Sequence, residues 1–276
     1  MKSLDEVVKK LKEVKIQGAN NIAIAGINAY LLNHDKTSIK KILEARPTEP
    51  LLFNAINILE KSEDKDLTAK KIIFYIKNAN KKISEFGSEL IKNDSNIFTH
   101  CHSSSVIEIL KQAKLQKKKF TVYNTETQPL LQGRKTAKEL AQLNIDVVHV
   151  ADNAIEYSLK KCDLFLFGAD AFLNKGIVNK IGTKTYCQIA KLYRIPRYSC
   201  GISLKVADSI KLESRAGKEI WDERNKKIKV LNPAFDLVDK NLVTGIISEY
   251  GILSYSEFLK KSKKILANFK DDSNIH

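Results

Sequence analysis

The chain reads as α/β, an N-terminal helical domain over residues 1–93 followed by a Rossmann-like doubly wound parallel sheet over residues 94–276. Three observations predict this. Apolar residues recur at helical spacing through the first 92 positions. The turn cluster Asn93-Asp94-Ser95-Asn96 then breaks the pattern. Beyond it, short apolar runs alternate with helical stretches, the rhythm of βαβ units.

Each element has a local reason. Val7, Val8, Leu11 and Val14 mark a first helix, and Ile22 to Gly26 continues toward Leu31-Leu32 as a second. Ile39 to Ala45 gives a third, and Pro47 and Pro50 interrupt before Leu51 to Leu59. The charged run Glu60 to Asp66 is a loop, after which Leu67 to Leu90 forms one long amphipathic helix or two shorter ones. Strands are expected at Ile97–Cys101, Phe120–Asn124, Ile145–Val150, Leu164–Gly168 and Arg197–Cys200. Helices are expected at Val106–Lys114, Gly133–Leu143, Asn153–Lys160 and Thr183–Tyr193. Leu242 to Ser248 reads as a final buried strand. From Ser256 the tail is an amphipathic basic helix, frayed over Asp271 to His276. There is no internal repeat and no low-complexity tract.

Composition narrows the function classes. The 276 residues, 43% hydrophobic, suffice for a sizeable core. No apolar run approaches the ~20 residues of a membrane helix, and Asp5 and Glu6 stand where a secretory signal would be apolar. A soluble cytoplasmic protein is the expectation. Cys101, Cys162, Cys187 and Cys200 show no metal-ligand spacing and read as free thiols. The formal charge of +15 admits a polyanion partner, but only six of the 47 basic residues are arginine. Arginine is the specialist for bases and phosphates. A lysine-rich solvated surface therefore explains the charge better than a nucleic-acid groove.

The chemistry concentrates in Thr99-His100-Cys101-His102-Ser103-Ser104-Ser105, between a strand and a helix. A thiol there lies near unpaired N–H groups and a helix dipole, which favour a thiolate and hold phosphate. A free Cys alone is more often a small buried hydrophobe; the histidines, serines and strand-end position shift the reading toward function. His100 and His102 alternate on an extended backbone, so at least one is structural. Ser103 to Ser105 cap the helix and offer donors to an anion. Gly168-Ala169-Asp170 ends another strand and brings a carboxylate toward the same crevice. Asn179 and Lys180 precede the helix at Thr183, a natural phosphate site. Gln17-Gly18-Ala19-Asn20 and Arg46-Pro47-Thr48 are weaker candidates, each readable as a helix boundary.

Arg46-Pro47-Thr48 with Asn54-Ala55-Ile56, the Cys101 segment, Thr125-Glu126-Thr127 with Gln132-Gly133 and Thr136-Ala137-Lys138-Glu139-Leu140, Gly168-Ala169-Asp170, Asn179 to Thr183, and Asn232-Pro233-Ala234-Phe235-Asp236 occur in order. Together they resemble the superfamily of archaeal ribose-1,5-bisphosphate isomerase, methylthioribose-1-phosphate isomerase and the regulatory subunits of translation initiation factor two-B, over residues 15 to about 253. The resemblance implies an aldose–ketose isomerase that converts α-D-ribose 1,5-bisphosphate to D-ribulose 1,5-bisphosphate. It makes Cys101 the proton acceptor and Asp170 the proton donor. Substrate contacts would come from Gln17, Gly18, Ala19, Asn20, Arg46, Ser103, Ser104, Ser105, Asn179, Lys180 and Lys205. It implies no metal or cofactor, a phosphorylated pentose substrate, AMP as a nucleotide effector, and a homodimer able to form hexamers. The alternatives are a non-catalytic regulatory subunit and methylthioribose-1-phosphate isomerase. Glutamine stands at 17 and 128, where the resemblance leads one to expect arginine, and Gly201 to Lys205 keeps only the lysine of its expected segment.

Overall fold

The computed structural model describes residues 3–16 and 18–268. Gln17 and the expected frayed end at Asp271 to His276 lie outside the described residues. Five helices come first: α1 (Leu4–Lys12), α2 (Ala19–Leu32), α3 (Lys36–Glu44), α4 (Pro50–Lys61) and α5 (Lys65–Glu89). Asp64 caps α5 by accepting from the Leu67 amide (2.9 Å). Its buried Ala69, Ile72, Ile76, Ala79 and Ile83 hold one stripe along a single long helix. Gly87 on that stripe lets α5 close on Ile109 of the helix it packs against, α6 (Ser104–Leu115).

The second part alternates. It runs β1 (Ser95–Thr99), α6, β2 (Phe120–Thr125), α7 (Gln132–Gln142), β3 (Asp146–Val150), α8 (Ile155–Leu159) and β4 (Leu164–Gly168). Then come β5 (Ala171–Leu173), β6 (Gly176–Lys180), α9 (Thr183–Leu192), β7 (Arg197–Cys200), β8 (Phe235–Asp239), β9 (Gly245–Ser248), β10 (Gly251–Leu253) and α10 (Tyr255–Asn268). The main sheet has the order β10-β9-β7-β4-β1-β2-β3, parallel except for β10, which runs antiparallel to β9. Counted along the chain, its six parallel strands stand as three-two-one-four-five-six. Strand order therefore reverses between β1 and β4, where α/β sheets open a ligand crevice.

Side-chain alternation divides the core between the faces. Ile97, Leu164, Leu166 and Ile247 join one apolar cluster with α2, α4, α5 and α6. Phe98, Phe165, Phe167 and Ile246 join a second with α8, α9 and α10. Among the described residues no helix is long and apolar enough to cross a membrane.

Several expectations shift. The strand expected over Ile97–Cys101 ends at Thr99, because Cys101 turns to φ +64 and leaves the ladder. Asp152–Ala154 forms a 3₁₀ turn before α8, and Lys240–Leu242 another before β9, so both elements start late. The main difference concerns residues 176–180, read from the sequence only as the approach to the helix at Thr183. They form β6, paired antiparallel with β5 and β8 in a separate three-stranded sheet. Lys180 pairs with Phe235, more than fifty residues away, and local periodicity does not register such pairing.

Gly133 in α7 fixes how the helix meets β2: a Cβ there would stand 1.7 Å from the Thr125 carbonyl oxygen. Backbone cannot yield as a side chain does. Gly133→Ala should therefore lower stability by about 1–3 kcal/mol, read as the urea midpoint; an unchanged midpoint would contradict this close approach.

Candidate active site

The reversal point sets Cys101, just past β1, and Asp170, just past β4, on the wall of one cavity. Gly18, Arg46, Glu49, His102, Lys180, Glu213 and Arg215 share that wall. At Cys101 the left-handed backbone is unusual for a residue with a Cβ. It is held from both sides: the amide donates to Thr127 Oγ1 (3.1 Å) and the carbonyl accepts from Thr136 Oγ1 (2.8 Å). Thr127 is in turn anchored by its amide to Asp152 Oδ1 (2.7 Å).

The two histidines separate as their alternation requires. His100 is the structural one, 1% exposed. Its Nε2 lies 3.0 Å from the Ile181 carbonyl and must carry the proton, so Nδ1, 2.9 Å from Thr125 Oγ1, accepts. Burial pulls it down to about 4, and it stays neutral. His102 faces the cavity. Thr136 Oγ1 donates to the Cys101 backbone carbonyl, so His102 Nδ1 donates to Thr136 Oγ1 (3.1 Å). Burial also holds His102 down at about 4, so its 3.8 Å approach to Glu139 is not an ion pair at neutral pH.

Asp170 is half-buried, and loss of solvent around it pushes its carboxyl up; Lys205, Arg46 and Lys180 pull the other way without prevailing. Asn179 supports it: with its amide nitrogen turned inward it donates to Asp170 Oδ2 and to the Gly168 carbonyl (3.3 Å each). Gly168 is required because a Cβ there would meet Ser103 Oγ at 2.6 Å. Lys205 sits beneath, donating from Nζ to the Ala169 carbonyl (2.6 Å).

Among the sequence candidates, Cys101, Asp170, Gly18, Arg46 and Lys180 line the cavity. Asn179 and Lys205 stand behind Asp170. Ala19 is buried in the first turn of α2, and Asn20 donates to Ser104 Oγ (3.5 Å). Ser103 caps α6 by accepting from the Val106 amide (3.5 Å), while Ser105 is buried and donates to Asn80 of α5 (3.2 Å). None of the three serines is on the cavity wall. Gln128 is exposed and donates to Glu126 Oε2 (3.0 Å), also away from it.

Three charged wall residues escape sequence reading. Glu213 and Arg215 come from an irregular segment, residues 207–234, with no periodicity to flag them; Arg215 is held by Glu213 and Glu219. Glu49 directly follows the Arg46-Pro47-Thr48 motif, the one signal that could have singled it out. It is 2% exposed, and its Oε1 accepts from Arg46 Nη2 (2.9 Å). Burial and repulsion by Asp170 raise it to about 8 against the pull of Arg46 and Lys205. At neutral pH Glu49 is therefore mostly uncharged. Arg46 Nε and Nη1 have no partner, so a largely unneutralised guanidinium faces the cavity beside Lys180.

Burial works against the expected thiolate: Cys101 is pushed up to about 11, although Lys180 pulls it down. Its sulfur rests as a thiol. Alkylation of Cys101 by iodoacetamide should accordingly accelerate about tenfold per pH unit from 7 to 9, followed by peptide mass spectrometry. A rate that levels off near pH 7 would show a resting thiolate instead.

Residues 15–255 match the Initiation factor 2 subunit family. The ribose 1,5-bisphosphate isomerase of Methanocaldococcus jannaschii is 31% identical, over 92% of this chain and 92% of its own. The methylthioribose-1-phosphate isomerase of Caldicellulosiruptor saccharolyticus is 33% identical, over 94% of this chain and 90% of its own. The solved structure of translation initiation factor eIF-2B from Pyrococcus horikoshii OT3 superposes with a TM-score of 0.82 at 25% identity, covering 91% of this chain and 96% of that one.

Proposed function

The chain belongs to the Initiation factor 2 subunit family, and from that premise we propose that it is a sugar-phosphate aldose–ketose isomerase acting on α-D-ribose 1,5-bisphosphate. The observation that carries the reading is the meeting of Cys101 and Asp170 on one cavity wall with the unpaired side of Arg46 and with Lys180. A regulatory subunit has no need of a thiol and a carboxyl raised by burial set together beside an anion site.

The reaction opens the sugar ring and moves hydrogen from C2 to C1. Asp170, whose carboxyl burial pushes up, gives a proton to the ring oxygen as the C1–oxygen bond breaks. Cys101 takes the C2 proton, leaving a phosphorylated enol across C1 and C2. The Asp170 carboxylate then takes the C2 hydroxyl proton while the Cys101 thiol returns its proton to C1. The product is D-ribulose 1,5-bisphosphate, and both groups end as they began. Cys101 must first lose its resting proton to solvent, which the positive charge of Lys180 favours, and the resulting thiolate is a strong base suited to a proton on carbon. Arg46 and Lys180 hold phosphate. The reading carries with it a homodimer able to form hexamers, and activation by AMP.

One observation favours methylthioribose 1-phosphate as a second reading. Glu49 occupies one arm of Arg46, and Gln128 lies outside the cavity, so fewer cations remain for a second phosphate.

Purified protein given ribose 1,5-bisphosphate should release ribulose 1,5-bisphosphate, with a lower kcat/KM for methylthioribose 1-phosphate. Cys101→Ser and Asp170→Asn should each lower kcat by about 10²–10⁴-fold with unchanged circular dichroism. Full turnover in either variant removes this mechanism, and the reverse order of substrates establishes the second reading.

A further inference from the structure

Within the cavity, Glu49 is an acid for which the isomerisation has no use. Its position is well fixed. Thr48 donates to the Lys211 carbonyl (3.0 Å), and Asn54 of α4 donates to the Leu204 and Val206 carbonyls (2.8 and 2.9 Å). The Arg46–Glu49 turn is thus clamped between the segment after β7 and the irregular segment at 207–234. Glu49 Oε2, like Arg46 Nε and Nη1, is buried without a hydrogen-bond partner. Leaving buried polar atoms of both kinds unsatisfied is unfavourable. A tetrahedral oxyanion answers both deficits. Its oxygens accept from Arg46, and one more accepts from Glu49 if the carboxyl carries a proton.

We propose that Glu49 is a ligand-contacting specificity residue that, in its protonated form, shares with Arg46 the anionic group of the substrate, so that anion capture here is linked to the protonation of Glu49. This rests on the reading of the cavity as a sugar-phosphate site.

The surroundings of Glu49 favour that form. Asp170 and Glu213 repel its charge, while Arg46 and Lys205 attract it. Burial adds to the repulsion and sets the balance near 8. Two other titratable groups on the wall lie well away from this range. Cys101 stays a thiol and His102 stays neutral. Arg215 is neutralised by Glu213 and Glu219. Once ionised, Glu49 cancels Arg46 and repels an incoming anion.

Sulfate tests this, because it does not titrate in the range used. Calorimetric titration of the full chain should show sulfate binding about tenfold weaker at pH 9 than at pH 7, as loss of a proton near 8 requires. In Glu49→Gln, which keeps a donor without a charge, the affinity should be flat across that range. In Asp170→Asn the dependence should persist with its midpoint at lower pH, since the Asp170 charge helps to raise Glu49. In the wild type, titrations in two buffers of different ionisation heat should show proton uptake that grows from pH 7 to 9. A Glu49→Gln profile parallel to the wild type, or a dependence abolished by Asp170→Asn instead, overturns the assignment and leaves the isomerase reading intact. Absence of sulfate binding to the wild type at pH 7 overturns both. An affinity that rises in Glu49→Gln at pH 7 also overturns it, because Glu49 is then a countercharge to Arg46 rather than a ligand contact.

Discussion

Where strand order reverses between β1 and β4, two neighbouring strand ends send their chains to opposite faces of the sheet. Neither following segment covers the gap, and a crevice remains at the C-terminal edge. Everything chemical in this molecule is arranged around that gap. Cys101 follows one strand and Asp170 the other, and the turn before α4 brings Arg46 and Glu49 across it. The small antiparallel sheet adds Lys180 from the side.

Water exclusion governs the electrostatics of the site. Burial is the leading cause of the shifts at Cys101, Asp170, Glu49, His100 and His102, and each moves toward its uncharged form. Glu49 loses most of its negative charge, and the free side of Arg46 faces the cavity beside Lys180. A wall that counts as balanced by sequence, with Glu49, Asp170 and Glu213 against three cations, becomes receptive to anions. The same loss of solvent pushes both the Asp170 carboxyl and the Cys101 thiol up. In the proposed reaction, release of the thiol depends on the ligand and Lys180.

Much of this was legible in the chain. The long stripe of α5, the apolar strand Leu164–Phe167 and the βα rhythm are local patterns, and local periodicity reports them faithfully. Cys101 and Asp170 were visible because strand ends in such a sheet share an edge. Asn179 and Lys180 were visible as residues ahead of a helix, but not as a strand. The pairing of β6 with β8 depends on residues brought back across the irregular 207–234 segment. Ser103 to Ser105 mark the helix start clearly, yet only packing against α5 shows that Ser105 turns inward.

Sequence alone determined the kinds of groups available and the secondary elements that carry them, because both depend on neighbours within a few residues. Tertiary structure alone decided which charges survive. Whether Glu49 is a carboxylate or an acid, and whether Cys101 is a thiolate or a thiol, depends on dielectric and on charges from β4, β6 and the segment after β7. Those contributions arise only when distant parts of the chain close around one cavity and exclude water from it.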